Sequence, residues 1–172
     1  MLGSFPPPHN RWSMEFYYPN FQNDMWRILG LIFFADKNHF VEPGKRFSRE
    51  RAVAFCEEIG LGLGDTAMEV IRHKSNASDK FLEVVTPFSP TEVLEKTVLC
   101  EAIVVTGQKA MDTLLGVIPD AKEPAVGDFT TFRYASREMR LYRMPSSSRA
   151  YPKALEEKAA IYAAMFQELR MI

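Results

Sequence analysis

Ile103-Val104-Val105-Thr106-Gly107 is the stretch of the sequence that decides the fold. Three β-branched residues follow one another, which is typical of a strand that is buried on both faces in a parallel sheet. The glycine directly after this strand allows a tight turn, and a helical pattern then runs from Gln108 to Leu115. The stretch therefore predicts a strand–turn–helix unit inside an α/β fold.

The segments on either side of this unit also alternate between helix and strand patterns. Thr130–Tyr134 and Met139–Met144 are predicted strands, and residues 1–23 and 74–80 are predicted loops. The predicted helices are Asn23–Phe34, Ser48–Glu58 with its end at Gly60, Gly64–His73, one that begins at Ser89, and Pro152–Leu169. Because helices alternate with strands, we expect an α/β layer fold.

The length and the charge of the chain limit its class. With 172 residues, of which 47% are hydrophobic, it is long enough for one buried core, so we expect a single domain over residues 1–172. The net charge of -1 argues against a protein that its overall field holds on nucleic acid or anionic lipid. Any contact with a nucleic acid must therefore come from a local patch.

Targeting and metal-binding patterns are missing from this sequence. The longest apolar run, residues 28–35, is shorter than the roughly 20 residues of a membrane span, and no signal peptide is visible. Cys56 and Cys100 have no second thiol at ligand spacing, which argues against a disulfide scaffold, a zinc knuckle and an iron–sulfur cluster. We expect a cytoplasmic protein without a metal, a cofactor or a membrane partner.

Three loops that follow predicted strands are candidate ligand contacts. They are Gly3–Pro7, Thr106–Lys109 and Met144–Arg149. Ligands of open α/β sheets bind in the crevice outside the carboxyl ends of the strands. We therefore expect the three loops to converge.

Five short segments of the sequence occur in an order that is found in a known family. They read Gly3-Ser-Phe-Pro-Pro7, Phe16-Tyr-Tyr-Pro19, Asn23-Asp-Met-Trp26, Ile103-Val-Val-Thr-Gly-Gln-Lys-Ala110 and Met144-Pro-Ser-Ser-Ser-Arg149. This set resembles the G-x-N-P-G turn, the F-x-x-x-P stretch, the N-R-F-W helix start, the central strand with its turn, and the L-P-x-x-S motif of the uracil-DNA glycosylase superfamily. The resemblance spans nearly the whole chain and is greatest to the mismatch-specific and hypoxanthine branches.

This resemblance implies a fold and an activity. The implied fold is α/β, a three-layer α/β/α arrangement with a mostly parallel four-stranded sheet. The implied activity is that of a monofunctional DNA glycosylase in base excision repair. Such an enzyme flips a deaminated base, here hypoxanthine or uracil, out of the duplex and hydrolyses its bond to deoxyribose without a metal or a cofactor. The implied partner is damaged DNA, and the implied state is a monomer.

The resemblance also implies roles for individual residues. Asn23 is the catalytic residue, which orients the attacking water. The residues that contact the flipped base are Gly3, Ser4, Phe5, Phe16, Tyr18 and Ser146, with Tyr18 as the stacking ring. The residues that contact the DNA backbone are Gly107, Lys109, Pro145, Ser147, Ser148 and Arg149.

Three departures from the family pattern bear on these roles. Phe5 occupies the position of the family's water-orienting Asn or Asp, and a phenyl ring cannot hold a water, so this role falls to Asn23, as in branches that lack the same residue. Ser146 stands where the family most often has a histidine. The strand before the first motif is reduced to Met1-Leu2, which indicates either a very short strand or a chain that begins upstream.

Other functions and plainer roles remain compatible with the sequence. A protein of the same fold that binds nucleic acid without catalysis would account for Phe5, and a small-molecule hydrolase on a similar scaffold is a further alternative. Phe16 and Tyr18 also suit simple packing. Asn23 also suits a helix N-cap, and the three serines suit a plain turn.

Overall fold

The computed structural model describes residues 1–73 and 79–172, so most of the predicted loop 74–80 lies outside the described residues. The helices of the described part are α1 (Met25–Phe34), α2 (Arg49–Ile59), α3 (Pro90–Leu94), α4 (Gln108–Leu115) and α5 (Leu155–Glu168). Its strands are β1 (Leu2–Gly3), β2 (Val41–Glu42), β3 (Arg46–Phe47), β4 (Gly64–Asp65), β5 (Ala67–Arg72), β6 (Leu82–Pro87), β7 (Ala102–Thr106), β8 (Asp128–Tyr134) and β9 (Arg137–Met144).

The chain divides into two compact units, and each unit is built from two segments. The first unit comprises Met1–Phe5 and Gly64–Met144, and the second comprises Pro6–Leu63 and Pro145–Ile172. The expectation of a single domain over residues 1–172 stays a prediction.

A five-stranded sheet in the order β4-β1-β7-β9-β8 organises the first unit. The four strands β4, β1, β7 and β9 are parallel, and β8 is added at one edge antiparallel to β9. The expectation of a mostly parallel sheet is confirmed, but the sheet has five strands where four were expected. The first strand comprises two residues, and Leu2 alone pairs with both Gly64 and Val105.

The prediction of a helix over Gly64–His73 is wrong. This segment forms β4 and then β5, and β5 pairs antiparallel with β6 in a two-stranded ribbon. Residue Val70 lies opposite Val84 in that ribbon. The pairing partner β6 is the next strand along the chain and is not among the predicted strands, so the pattern of the segment itself does not reveal the pairing.

The core of the first unit lies between the sheet and helices α3 and α4. The predicted central strand is confirmed as β7, in which Val105 is fully buried. The helix predicted after it is confirmed as α4, and the predicted strands 130–134 and 139–144 are confirmed within β8 and β9. The buried side chains of this core are Leu2, Phe88, Leu94, Ile103, Val105, Ala110, Met111, Leu114, Ile118, Phe132, Met139 and Leu141.

Helices and aromatic rings form the core of the second unit. Helix α1 packs along α5, and the Phe33 ring lies 4.9 Å from Phe55 and 5.1 Å from Phe166, measured between centroids. The predicted α2 is confirmed, with Ser48 as its N-cap and Gly60 after its end. Helices α1 and α5 are confirmed with later starts, at Met25 and Leu155. The chain is thus a mixed α/β protein whose central sheet is mostly parallel.

Candidate functional site

The turn after β1 carries the predicted first motif in the first unit. Gly3 pairs in register with Asp65 at the end of β4, and the Gly3 carbonyl accepts a 2.8 Å hydrogen bond from the Thr66 amide. The carbonyl of Ser4 accepts one of 3.3 Å from the Ala67 amide. The backbone of this turn is therefore fixed by the segment that joins β4 to β5.

Two carboxyl groups are associated with this turn. The hydroxyl of Ser4 donates to Asp79 Oδ2 at 2.9 Å. Burial raises the pKa of Asp65 to about 6, and the negative charge of Asp79 adds to this shift. Burial also raises the pKa of Asp79, while the hydrogen bond from Ser4 and the charges of Arg72 and Lys109 act in the opposite direction. Asp65 therefore takes up a proton just below neutral pH.

Gly107 and Lys109 lie at the junction of β7 and α4. Gly107 has a φ of 90°, a conformation that favours glycine, and its amide donates to the Met144 carbonyl at 3.2 Å. Lys109 is half-buried, lines an open cavity of about 620 Å³, and is close enough to Asp79 for its charge to act on that carboxyl group. Phe5 is also half-buried. In the first unit, Lys109, a predicted DNA contact, therefore lies near Asp79, whose carboxyl group is bonded to Ser4 of the first motif.

In the second unit, the start of α1 is joined to the serine loop (Pro145–Arg149). Asn23 forms an isolated antiparallel bridge with Ser148, and the Asp24 amide donates to the Ser147 carbonyl at 2.8 Å. Two of the predicted motifs, which are far apart in the sequence, are therefore held together by backbone hydrogen bonds.

Charged side chains reinforce this junction. Asp24 accepts a hydrogen bond from Arg149 Nε through Oδ1 at 2.9 Å, and its Oδ2 lies 3.2 Å from Lys158 Nζ. Lys158 Nζ also donates to the Ser148 carbonyl at 2.8 Å. The exposed fraction of the side chain is 1% for Lys158, 9% for Asp24 and 48% for Arg149. Of these three charged groups, the Arg149 guanidinium is the one within reach of a ligand in solvent.

The hydroxyls of Ser146 and Ser148 stabilise the turns of this loop. Ser146 Oγ accepts from the Ser148 amide, and Ser148 Oγ accepts from the Ala150 amide, both at 3.2 Å. Ser147 and Pro145 are buried, whereas Ser146 and Ser148 are half-buried. These contacts favour the turn role over a nucleophilic one.

The side chain of Asn23 is fixed at the start of α1. Its Oδ1 accepts the Met25 amide at 2.9 Å, whereas the side chain of Asp24, the formal N-cap residue, makes no capping hydrogen bond. The Asn23 side chain thus satisfies one of the free amides at the start of α1, although the N-cap position itself belongs to Asp24. An amide oxygen has two lone pairs, so Oδ1 can also accept from a water.

The segment Phe16–Pro19 carries the aromatic rings that are predicted to contact the base. Tyr18 is half-buried and has a φ of 51°, in the left-handed region that aromatic residues rarely adopt. Backbone strain of this kind is often found at binding sites, which directs attention to this ring. The ring of Phe16 packs on Trp26 at a centroid distance of 6.0 Å, so it also has a structural role.

Sequence reasoning missed Asp65, Asp79 and Lys158. Asp65 lies in a segment with a helix-like pattern, and no local feature of the sequence reveals its burial. Lys158 has a signal, because it interrupts the apolar face that Leu155 and Tyr162 define on the last helix. A lysine at such a position indicates a buried charge with a partner.

Comparison with protein-family models, with curated proteins and with solved structures finds no significant match to this chain. Within residues 1–73 and 79–172, no helix is long and apolar enough to cross a membrane. The same residues contain no group of three or more His, Cys, Asp or Glu side chains that is suited to hold a metal ion.

Proposed function

We propose that this chain is a monofunctional DNA glycosylase of the uracil-DNA glycosylase superfamily, which excises a deaminated base, hypoxanthine or uracil. The observation that carries the proposal is the backbone pairing of Asn23 and Asp24 with Ser148 and Ser147. It joins two of the segments on which the resemblance rests. The proposal includes the three-layer α/β/α fold, a monomeric state, a cytoplasmic location and a role in base excision repair.

Each group has a task in this chemistry. Hydrolysis of the glycosidic bond passes through an oxocarbenium-like sugar and a leaving base that becomes negative, so it needs contacts to the base and a held water. The proposal assigns the donors that face the leaving base to the backbone amides of the turn Gly3–Phe5, and the recognition of its ring N–H before cleavage to Asp65. It assigns the water to Asn23, whose amide oxygen is held by the Met25 amide and retains a second lone pair.

The carboxyl group of Asp65 supports a deaminated base as the substrate. Uracil and hypoxanthine carry a ring N–H on the Watson–Crick edge, where cytosine and adenine carry a ring nitrogen that only accepts. An ionised carboxylate only accepts hydrogen bonds, so it favours the ring N–H of the deaminated bases. With a pKa of about 6, Asp65 is mostly ionised above neutral pH.

Contacts to the DNA strand come from a small number of groups in this proposal. Tyr18 stacks on the flipped base, and Arg149 and Lys109 bind phosphates, with Ser148 as a neutral neighbour. A chain with a net charge of -1 neutralises few phosphates. Its affinity for duplex DNA should therefore be modest and should fall as the salt concentration rises.

The deciding experiment is an excision assay on duplexes that carry uracil, hypoxanthine, xanthine or a thymine mismatch. Alkaline cleavage at the abasic product is the readout. A parallel preparation of the Asn23→Ala/Asp65→Asn double variant controls for a contaminating glycosylase, which would be equally present in both samples. We expect the parent to excise uracil or hypoxanthine and the double variant to lose most of this turnover.

Equal excision by the parent and the double variant would contradict the proposal. Salt-dependent binding of the duplexes without excision would favour the nucleic-acid-binding alternative, for which Phe5 in the first motif is the specific observation. Neither binding nor excision would leave the small-molecule hydrolase as the next function to test.

A further inference from the structure

Helix α5 holds both ends of the serine loop through two buried side chains. Lys158 is fully buried, and its Nζ donates to the Ser148 carbonyl at 2.8 Å. Tyr162, one turn further along the same face, is also fully buried and donates its hydroxyl to the Pro145 carbonyl at 2.7 Å. The conformation of the loop therefore depends on two side chains of α5 that are not accessible to solvent.

The side chains around the loop carry more positive than negative charges. One carboxylate, Asp24, lies between the ammonium of Lys158 and the guanidinium of Arg149 and has one oxygen bonded to each. Arg27 is a third cation in this neighbourhood, where burial and the charge of Arg149 lower its pKa. Arg27 donates to the carbonyl of Phe21 and lies over the rings of Phe21 and Phe47. The trio of Asp24, Lys158 and Arg149 thus has a formal charge of +1.

We infer that Lys158 is a positioning residue for the binding of a DNA phosphate by Arg149. The buried ammonium neutralises Asp24, and this leaves the charge of Arg149 available to a phosphate although Arg149 Nε is bonded to the carboxylate. The inference rests on the proposed DNA substrate.

Removal of the Lys158 charge should alter DNA binding although Lys158 itself does not contact the DNA. The carboxylate of Asp24 is 9% exposed, so without Lys158 its remaining direct ion pair would be the one with Arg149, while Arg27 acts on it from a greater distance. Arg149 would then be part of a neutral ion pair and would release fewer counterions from the DNA. The slope of log K against log salt is negative, and its absolute value, which is called the slope from here on, falls by about 0.9 for duplex DNA when one phosphate contact is lost.

The test measures this slope between about 50 and 200 mM salt. The probe is a short, fluorescently labelled duplex that contains hypoxanthine. Lys158→Met and Arg149→Gln should each lower the slope by about 0.9. The double variant Asp24→Asn/Lys158→Met removes both buried charges, so its slope should return to that of the parent. Lys37→Met changes the same charge at an exposed position beyond the far end of α1 and should leave the slope unchanged.

A second variant separates the charge of Lys158 from its hydrogen bond. Lys158→Gln retains a donor for the Ser148 carbonyl but lacks the positive charge, so it should lower the slope as Lys158→Met does. It takes the place of Lys158→Met if that variant does not fold. The inference is overturned if a folded Lys158→Gln variant has the same slope as the parent. It is also overturned if the slope remains low in Asp24→Asn/Lys158→Met.

The same proteins are assayed for excision so that the two ideas can fail separately. The expected slopes without any excision would uphold the inference and remove the glycosylase proposal. Excision by the parent, together with an unchanged slope in the Lys158 variants, would support the glycosylase proposal and overturn the inference about Lys158. A parent without salt-dependent binding to duplex DNA would remove both.

Discussion

The backbone of Asn23 pairs with that of Ser148, while the Asn23 side chain caps α1 through a 2.9 Å hydrogen bond from the Met25 amide. One amide oxygen therefore serves the helix and, in the proposed mechanism, the water. We predict that Asn23→Ala abolishes most turnover and lowers the free energy of unfolding by about 0.5–2 kcal/mol. Single-turnover excision and thermal melting measure the two losses separately.

Asn23→Asp is the control for that experiment. Aspartate caps a helix as well as asparagine does, and its carboxylate also accepts from water, so both stability and turnover should be largely retained. If Asn23→Ala is folded and excises the base as fast as the parent, catalysis lies elsewhere.

Tyr18 combines a candidate stacking ring with an unfavourable backbone conformation at a φ of 51°. We predict that Tyr18→Ala weakens the capture of a damaged duplex by the loss of about 1–3 kcal/mol of stacking, and that Tyr18→Phe is mild because the ring remains. Tyr18→Gly should lose the same affinity but melt higher than Tyr18→Ala, because glycine adopts a positive φ without strain. Equal losses for Tyr18→Phe and Tyr18→Ala would instead assign the effect to the hydroxyl group.

Gly30 allows the chain after α1 to approach the helix closely. A Cβ atom at this position would lie 2.4 Å from the carbonyl oxygen of Asp36. We predict that Gly30→Ala lowers the free energy of unfolding by about 1–3 kcal/mol, although alanine is the better helix former. Gly62→Ala is the matched control in the same unit, because a Cβ there meets nothing within 4 Å. Denaturant unfolding that shows similar stability for both variants would contradict this account.

The part of the fold that the sequence predicts best is the part set by local patterns. The β-branched run before Gly107 is enough to predict β7 and α4, and the structure places β7 between β1 and β9. The start of α2 follows from Ser48, whose hydroxyl accepts the Arg51 amide. Caps and buried runs depend on neighbouring residues in the chain, so they can be recognised without the tertiary structure.

The features that escape the sequence depend on partners outside the local segment. Met68 and Ile71 have a helix-like spacing, yet both are exposed on β5, at 61% and 49%. The strand forms there because β6 pairs with it, which the local sequence does not show. The carboxyl group of Asp65 is hidden from sequence reasoning for the same reason, since its environment depends on Gly3 and on Asp79.

The raised pKa of Asp65 makes stability depend on pH. The folded protein binds this proton with a pKa of about 6 against an ordinary value of 3.8, so the folded state loses stability as the pH rises from about 4 to about 6. Above that range the cost is about 2–3 kcal/mol. We predict that Asp65→Asn raises the free energy of unfolding by this order at neutral pH and by little near pH 4, measured by denaturant titration. The exposed Asp120→Asn change in the same unit is the control for the loss of one carboxylate.

The same titration should appear in the rate of excision. As the pH falls through about 6, Asp65 becomes protonated and loses its negative charge, so it is a weaker acceptor for the ring N–H of the base in the proposed mechanism. We predict that the single-turnover rate of the parent then declines by up to about tenfold per pH unit. In Asp65→Asn this decline should disappear, because an amide does not titrate and its oxygen still accepts, so the rate should be lower and nearly independent of pH in this range. Asp79 remains in the variant, and its pKa is also raised by burial. A decline that persists in Asp65→Asn with the parent's midpoint would therefore assign the titration to Asp79 or another group and remove Asp65 from the base contact.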